Sequence, residues 1–100
     1  MNINIDNAKK EVQPHGNGYL VGIKFVTNED AQTVIRGIKK DLMIYKNVAR
    51  FIVRNNIIDI MLSNNATLCS YYFTNKEALD EVIEKLDELC STSNIGLLIH

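Results

Sequence analysis

The sequence predicts a single α+β domain whose elements follow the order β-α-β-β-β-α-β. Short segments rich in β-branched and aromatic residues indicate strands, and two longer segments carry apolar residues at helical spacing. A third observation is an internal echo, since FVTNEDA at residues 25–31 returns as YFTNKEA at residues 72–78. Together these observations indicate two β-α-β units joined by one additional strand.

The first unit begins with residues 19–26, YLVGIKFV, which are almost continuously apolar and predict a central strand. Thr27 is the expected N-cap of the first helix, with Asp30 as its acidic partner three residues later. Apolar residues then recur at helical spacing, at Ala31, Val34, Ile35, Ile38 and Leu42.

A three-stranded meander follows the first helix. Its expected strands are residues 47–54, 57–62 and 67–73. Asn55-Asn56 and Asn64-Asn65 separate these strands, and asparagine suits such tight turns because it tolerates positive φ.

The second unit closes the chain with a helix and a strand. Thr74 is the expected N-cap, and Glu77 three residues later completes a capping box. The final strand is IGLLI, residues 95–99. The apolar stripe of the second helix consists of Ala78, Leu79, Val82, Ile83, Leu86 and Leu89.

A shift of 47 residues superimposes the two units. Thr27 then meets Thr74, and beyond the helices Asn47 meets Asn94. Two β-α-β units with short links are typical of a ferredoxin-like two-layer sandwich, with an antiparallel or mixed sheet and both helices on one face. Such a superfold hosts many unrelated functions, so the fold by itself predicts no activity.

Residues 1–17 are expected to form a flexible N-terminal segment with a short strand at Ile3–Ile5, and residues 18–100 the domain. The opening residues lack the apolar core of a secretory signal, and no apolar run reaches the roughly 18 residues of a membrane span. Cys69 and Cys90 lack metal-binding spacing and are expected to be small hydrophobes in a reducing compartment. We therefore expect a cytoplasmic protein, and the abundance of Ile, Asn and Lys favours a low-GC bacterium or its phage as the source.

The chain carries no recognisable catalytic constellation. Its two histidines are His15, in the N-terminal segment, and His100, and neither has a spacing that would pair it with a nucleophile. The glycine cluster HGNG at residues 15–18 is more typical of a plain turn than of a phosphate-binding loop. The sequence therefore predicts that the protein is not an enzyme and has no cofactor and no metal site.

Charge is divided unevenly along the chain. Residues 24–54 hold seven cations and three acids, whereas residues 55–100 hold two cations and seven acids. Opposite local fields can steer binding partners. Four glutamates fall on one face of the second helix and form the predicted partner-binding surface, namely Glu77, Glu81, Glu84 and Glu88.

Strand alternation assigns an open sheet face, away from the helices, that is largely apolar. It is expected to carry Lys24, Arg50, Arg54, Tyr71 and Phe73. Because such a face is too apolar to be exposed to water, we expect a second copy of the chain to cover it in a two-fold homodimer. Aromatics and cations on a sheet also resemble the way RNA-recognition-motif domains bind nucleic acid, although the basic–Gly–aromatic signature is absent from the strand TLCSYYF.

The sequence therefore favours a small non-enzymatic binding or regulatory protein that acts through protein–protein contacts. An inhibitor of a host protein, encoded by a phage or mobile element, fits the size and composition. Nucleic-acid binding through the open sheet face is the first alternative. A small-ligand-sensing regulatory domain is the second, although the Thr-Asn cap after the first strand lacks glycine. No membrane partner is expected.

Overall fold

The computed structural model describes residues 13–15 and 18–100, with side-chain environments from residue 20 onward. The elements are β1 (Gln13–His15), β2 (Gly18–Leu20), β3 (Gly22–Val26), α1 (Ala31–Ile44), β4 (Val48–Arg54), β5 (Ile57–Leu62), β6 (Thr67–Phe73), α2 (Lys76–Ser91) and β7 (Gly96–Ile99). The general α+β class is confirmed, with two helices and a five-stranded mixed sheet in the described part.

The five-stranded sheet has the order β3-β6-β5-β4-β7. The meander β4-β5-β6 is antiparallel, β3 joins β6 in parallel, and β7 joins β4 in parallel. Each β-α-β crossover therefore spans two intervening strands. The ferredoxin-like topology is not confirmed, because the additional strand β5 sits in the middle of the sheet and separates the two parallel pairs.

The parallel pair β3–β6 places the two halves of the echo side by side. Every residue of β3 is paired with the residue 47 positions later, for example Lys24 with Tyr71 and Val26 with Phe73. Thr74 strengthens this junction, since its backbone N–H and its hydroxyl both donate to the Val26 carbonyl, at 2.9 and 3.1 Å. The repeat spacing seen in the sequence is thus the sheet register.

The helices form where predicted, but their caps differ. Asp30 caps α1 by accepting from the Thr33 backbone N–H at 2.8 Å. Asn75 caps α2 by accepting from the backbone N–H groups of Glu77 and Ala78. The prediction of threonine caps is wrong for both helices, and in the second unit the physical reason is that the Thr74 hydroxyl is engaged by β3.

Both predicted asparagine turns are present. Asn55 and Asn65 are the non-glycine residues with positive φ in the described part, at 53° and 69°. They connect β4 to β5 and β5 to β6, and asparagine adopts this left-handed conformation more readily than most residues. The meander that these turns define forms the central three strands of the sheet.

The core lies between the sheet and the helix layer. The two helices contact each other, and α2 also contacts β6 and β7. Phe51, Ile58 and Ile60 of the meander are fully buried, as are Ile38 of α1 and Val82 of α2. The helices cover one side of the sheet; the other side is called the open face below.

The predicted single strand over residues 19–26 is divided at Val21 into β2 and β3. Residues 13–15, within the segment expected to be flexible, form β1 and pair antiparallel with β2. The remainder of that expectation, including a short strand at Ile3–Ile5, lies outside the described residues.

Candidate functional site

The four glutamates predicted to bind a partner are all exposed on α2. Asp80 and Asp87 are exposed beside them, so six carboxylates line the solvent side of this helix. Among the described side chains, none of the six has a cationic group within 4.0 Å. We call this set the acidic ridge: Glu77, Asp80, Glu81, Glu84, Asp87 and Glu88.

The neighbouring helix α1 has the opposite charge. Arg36, Lys39 and Lys40 are exposed on it, and Met43 at its last turn is 80% exposed. Lys39 reaches a groove of about 270 Å³ between the helices, which Lys85 and Glu88 also line. The helix layer therefore presents a basic strip and an acidic strip side by side, in the pattern that the sequence charges predict.

The five residues expected together on the open face are divided between the two sides of the sheet. Lys24 and Tyr71 reach Asp41 of α1, so their side chains face the helices. Phe73 lies two residues beyond Tyr71 on the same side and is 2% exposed. Arg50 and Arg54 remain on the open face. The predicted grouping of the five on one face is therefore wrong.

The helix-facing members belong to a buried polar cluster that comprises Lys24, Asp41, Cys69 and Tyr71. The Asp41 carboxylate accepts hydrogen bonds from the Lys24 ammonium at 2.8 Å and from the Tyr71 hydroxyl at 3.2 Å. Lys24 also donates to the Tyr71 oxygen at 3.0 Å, and the Cys69 thiol lies 3.8 Å from the same carboxylate. Lys24 and Asp41 thus pair with each other, and this pairing offsets the free-energy cost of removing their charges from water.

Protonation of Tyr71 is strongly favoured within this cluster. Burial raises the pKa of Tyr71 well above its usual value, and the neighbouring Cys69 and Asp41 raise this pKa further. A neutral hydroxyl that donates to Asp41 is the state that suits this environment. The cluster fastens α1 to β3 and β6.

The open face carries an apolar band that crosses the five strands. On β3 and β6, the rings of Phe25 and Tyr72 stack with their centroids 5.5 Å apart. Arg54 lies 3.6 Å from Asp59, and the Ser70 hydroxyl donates to the other Asp59 oxygen at 2.5 Å. The remaining apolar side chains of the band are partly or largely exposed: Ile23, Ile52, Ile57, Met61 and Leu98.

Sequence reasoning missed Phe25 and Asp41. With Lys24 expected on the open face, alternation predicts Phe25 on the helix side. Because β3 carries apolar residues on both faces, its composition does not correct this assignment. In the sequence, Asp41 is one of the three acids of residues 24–54, and nothing in its neighbourhood indicates that it is buried. The signal available in the sequence was the 47-residue repeat, since it pairs Lys24 with Tyr71 and so places a cation beside a hydroxyl.

The small-ligand alternative depends on the loop after the first strand and on a dimer seam; that loop follows β3 and lies beside the loop that follows β6. These loops enclose a polar depression of about 460 Å³, lined by Thr27, Asn28, Thr74, Asn75 and the first two residues of α2. The Thr74 hydroxyl and the Asn75 side-chain oxygen are already used within the fold, as the tie to β3 and as the helix cap. Two of the polar groups that line the depression are therefore engaged within the fold.

A comparison with family models, curated proteins and solved structures finds no match for this chain. In the described part, neither helix has the length and apolar character needed to cross a membrane. The described residues also contain no group of three His, Cys, Asp or Glu side chains placed to hold a metal ion.

Proposed function

We propose that this protein is a small binding or regulatory protein that acts through protein–protein contacts and binds a basic surface of its partner through the acidic ridge. The observation that carries the proposal is the set of six exposed carboxylates on α2, none of which has a cation within 4.0 Å among the described side chains. The partner is expected to offer lysines or arginines in a comparable row.

Several like charges along the ridge repel one another in the isolated protein, although Lys85 lies four residues after Glu81. Glu77 and Glu81, Asp80 and Glu84, and Glu84 and Glu88 are each four residues apart, and such like-charged pairs cost about 0.2–0.5 kcal/mol each on a helix. A basic partner would relieve this repulsion and gain a favourable long-range field that increases the association rate. The ridge therefore supports fast, salt-sensitive binding.

The position of α2 in the fold is compatible with self-association. The acidic ridge lies on the helix side of the sheet, and the apolar band lies on the open face. Two copies that met through the open face, as the sequence predicts, would carry their ridges on the outside of the dimer. Such a dimer, which remains a prediction, would present two binding surfaces to partners.

Site-specific photocrosslinking tests the proposed surface. A photoreactive amino acid is placed at Asp80 of the acidic ridge in one variant and at Lys40 of α1 in a matched control, and both are irradiated in the source cells. A discrete cross-linked protein is expected from the ridge variant alone. Cross-linking from the α1 variant alone, or from neither, would contradict the proposal.

A second candidate function, nucleic-acid binding, is favoured by one specific observation. The stacked rings of Phe25 and Tyr72 share the open face with Arg50 and Arg54, and base stacking on aromatic side chains is typical of single-strand binding. These rings replace Tyr71 and Phe73 as the aromatics of that alternative. Fluorescence anisotropy with a labelled uridine oligonucleotide tests it: Tyr72→Ala should abolish binding, whereas Tyr71→Phe, on the helix side, should not.

A further inference from the structure

Strand β7 forms one edge of the sheet and, among the described residues, pairs with β4 alone. The His100 N–H donates to the Val53 carbonyl at 2.9 Å. In a strand, the N–H and C=O of one residue point to the same side, and this side alternates along the chain. The backbone groups of Leu98 therefore face β4, and those of Leu97 and Ile99 face away from the sheet.

The strand itself lacks two common protections against edge pairing. Its sequence, GLLI, contains no charged residue and no proline, and natural edge strands commonly use such residues to prevent association. Leu98 is 49% exposed on the open face, and Ile99 is 60% exposed on the helix side. The opposite edge, β3, differs because it carries Lys24. The β7 edge thus combines outward backbone groups with exposed apolar side chains.

We infer that the β7 edge is a self-association site, at which β7 of a second copy of this chain pairs antiparallel with it around a two-fold axis at Leu98. In this register Leu97 of each copy lies opposite Ile99 of the other, and each such pair exchanges both of its hydrogen bonds. The two Leu98 side chains lie directly opposite each other in a non-hydrogen-bonded pair. The result is one continuous ten-stranded sheet.

A second copy fits this edge because the pattern of the edge is symmetric about Leu98. The outward N–H and C=O groups of Leu97 and Ile99 are complementary to the same groups on an antiparallel copy, and a two-fold contact uses the same surface twice. The same register places Leu98 against Leu98 and Ile99 against the half-buried Leu97. One arrangement therefore uses the outward backbone groups and covers both exposed side chains.

The charge of the neighbouring helix gives this contact a distinctive salt dependence. α2 lies over β7, with the Cys90 sulfur 4.0 Å from the Gly96 carbonyl oxygen. Edge pairing would place two acidic ridges on the same side of one sheet, where they repel each other. Screening reduces this repulsion, so association should strengthen as salt concentration rises, whereas binding of a basic partner to the ridge should weaken.

Disulfide trapping tests the register. In a Cys90→Ser background, Leu98→Cys is compared with Gly96→Cys under copper phenanthroline oxidation. Gly96 is a matched control because it lies on the same strand and face, and a Cβ there meets Arg50 at an ordinary contact distance of 3.5 Å. Gly96 lies two residues from the two-fold axis. The Cα atoms of Gly96 in the two copies would therefore be more than about 7 Å apart, which is too far for a disulfide. Rapid dimer cross-linking is expected for Leu98→Cys alone; equal cross-linking of both variants would overturn the register.

Sedimentation at high-micromolar concentration tests the edge itself. Ile99→Pro removes an outward N–H but leaves the N–H groups that bond to β4 in place, so this variant should be a monomer. Ile99→Thr keeps the outward N–H and should still associate. Tyr72→Glu disturbs the open face and should leave the edge dimer intact. A monomeric wild-type protein, or a dimer that Tyr72→Glu dissociates and Ile99→Pro does not, would overturn the inference. None of these outcomes tests partner binding by the acidic ridge. The proposed function is therefore tested independently of this inference.

Discussion

The buried polar cluster makes a quantitative prediction for the variant Asp41→Ala. Asp41 is 7% exposed and accepts hydrogen bonds from both Lys24 and Tyr71. The substitution leaves the Lys24 ammonium without its carboxylate and the Tyr71 hydroxyl without its acceptor. Loss of one partner from a fully buried ion pair costs about 3–5 kcal/mol.

The exposure of Lys24 reduces this cost. Its side chain is 29% exposed, so the ammonium can turn toward water when Asp41 is absent. We therefore expect the free energy of unfolding to fall by about 2–3 kcal/mol. Since about 1 kcal/mol shifts the midpoint of a domain of this size by roughly 4–8 °C, the melting temperature should fall by roughly 8–24 °C.

Urea unfolding followed by circular dichroism measures this effect, and the repeat supplies the control. Glu88 occupies the position 47 residues after Asp41, but it is exposed and has no ion pair among the described side chains. Glu88→Ala should change stability by less than about 0.5 kcal/mol. Equal effects of Asp41→Ala and Glu88→Ala would show that the cluster does not stabilise the fold.

Three further predictions concern single residues. Because burial raises the pKa of Tyr71, the unfolded state releases this proton near pH 10 while the folded state retains it; stability should therefore fall above about pH 10, and less steeply in Tyr71→Phe. Asn75→Ala removes the α2 cap and should cost about 1 kcal/mol in urea unfolding, with no loss if Thr74 were the true cap. Gly37→Ala should stabilise α1 by up to about 1 kcal/mol, since a Cβ there lies an ordinary 3.6 Å from the Tyr71 oxygen; a lower melting temperature would contradict this.

Local chemistry made part of the fold predictable. The asparagine turns followed from the tolerance of Asn55 and Asn65 for positive φ, and the helices followed from the spacing of their apolar stripes. The predicted N-cap of α2 was wrong because two adjacent residues, Thr74 and Asn75, are both good caps. The choice between them depends on the Val26 carbonyl, which is distant in sequence.

Sheet faces were predictable where only one face is buried. On β4, Arg50 and Arg54 alternate with the buried Phe51 and Val53, and this alternation predicts the correct faces. By contrast, β3, β6 and β7 carry apolar residues on both sides. Lys24 misled the assignment because a cation suggests an outward position, and only the distant Asp41 makes its inward position favourable. Strand order likewise depends on long-range pairing that composition and period do not encode.

The candidate surfaces were unequally predictable. The acidic ridge could be read from the spacing of its glutamates, and the structure places these residues in solvent. The pairing of Phe25 with Tyr72 depended on the face of β3, and the open β7 edge depended on strand order. Neither could be derived from the sequence alone.

The most direct test of the proposed function measures the affinity of the purified protein for the partner that cross-links to α2. The variant Glu81→Lys/Glu84→Lys reverses charge on the acidic ridge, and Arg36→Glu/Lys40→Glu reverses charge on α1 as the control. The ridge reversal should weaken binding at least ~10-fold with the fold unchanged, since close charge pairs across an interface can be worth more than about 1.4 kcal/mol. The control should keep wild-type affinity. Unchanged binding by the ridge reversal, or a greater loss in the α1 reversal, would contradict the account.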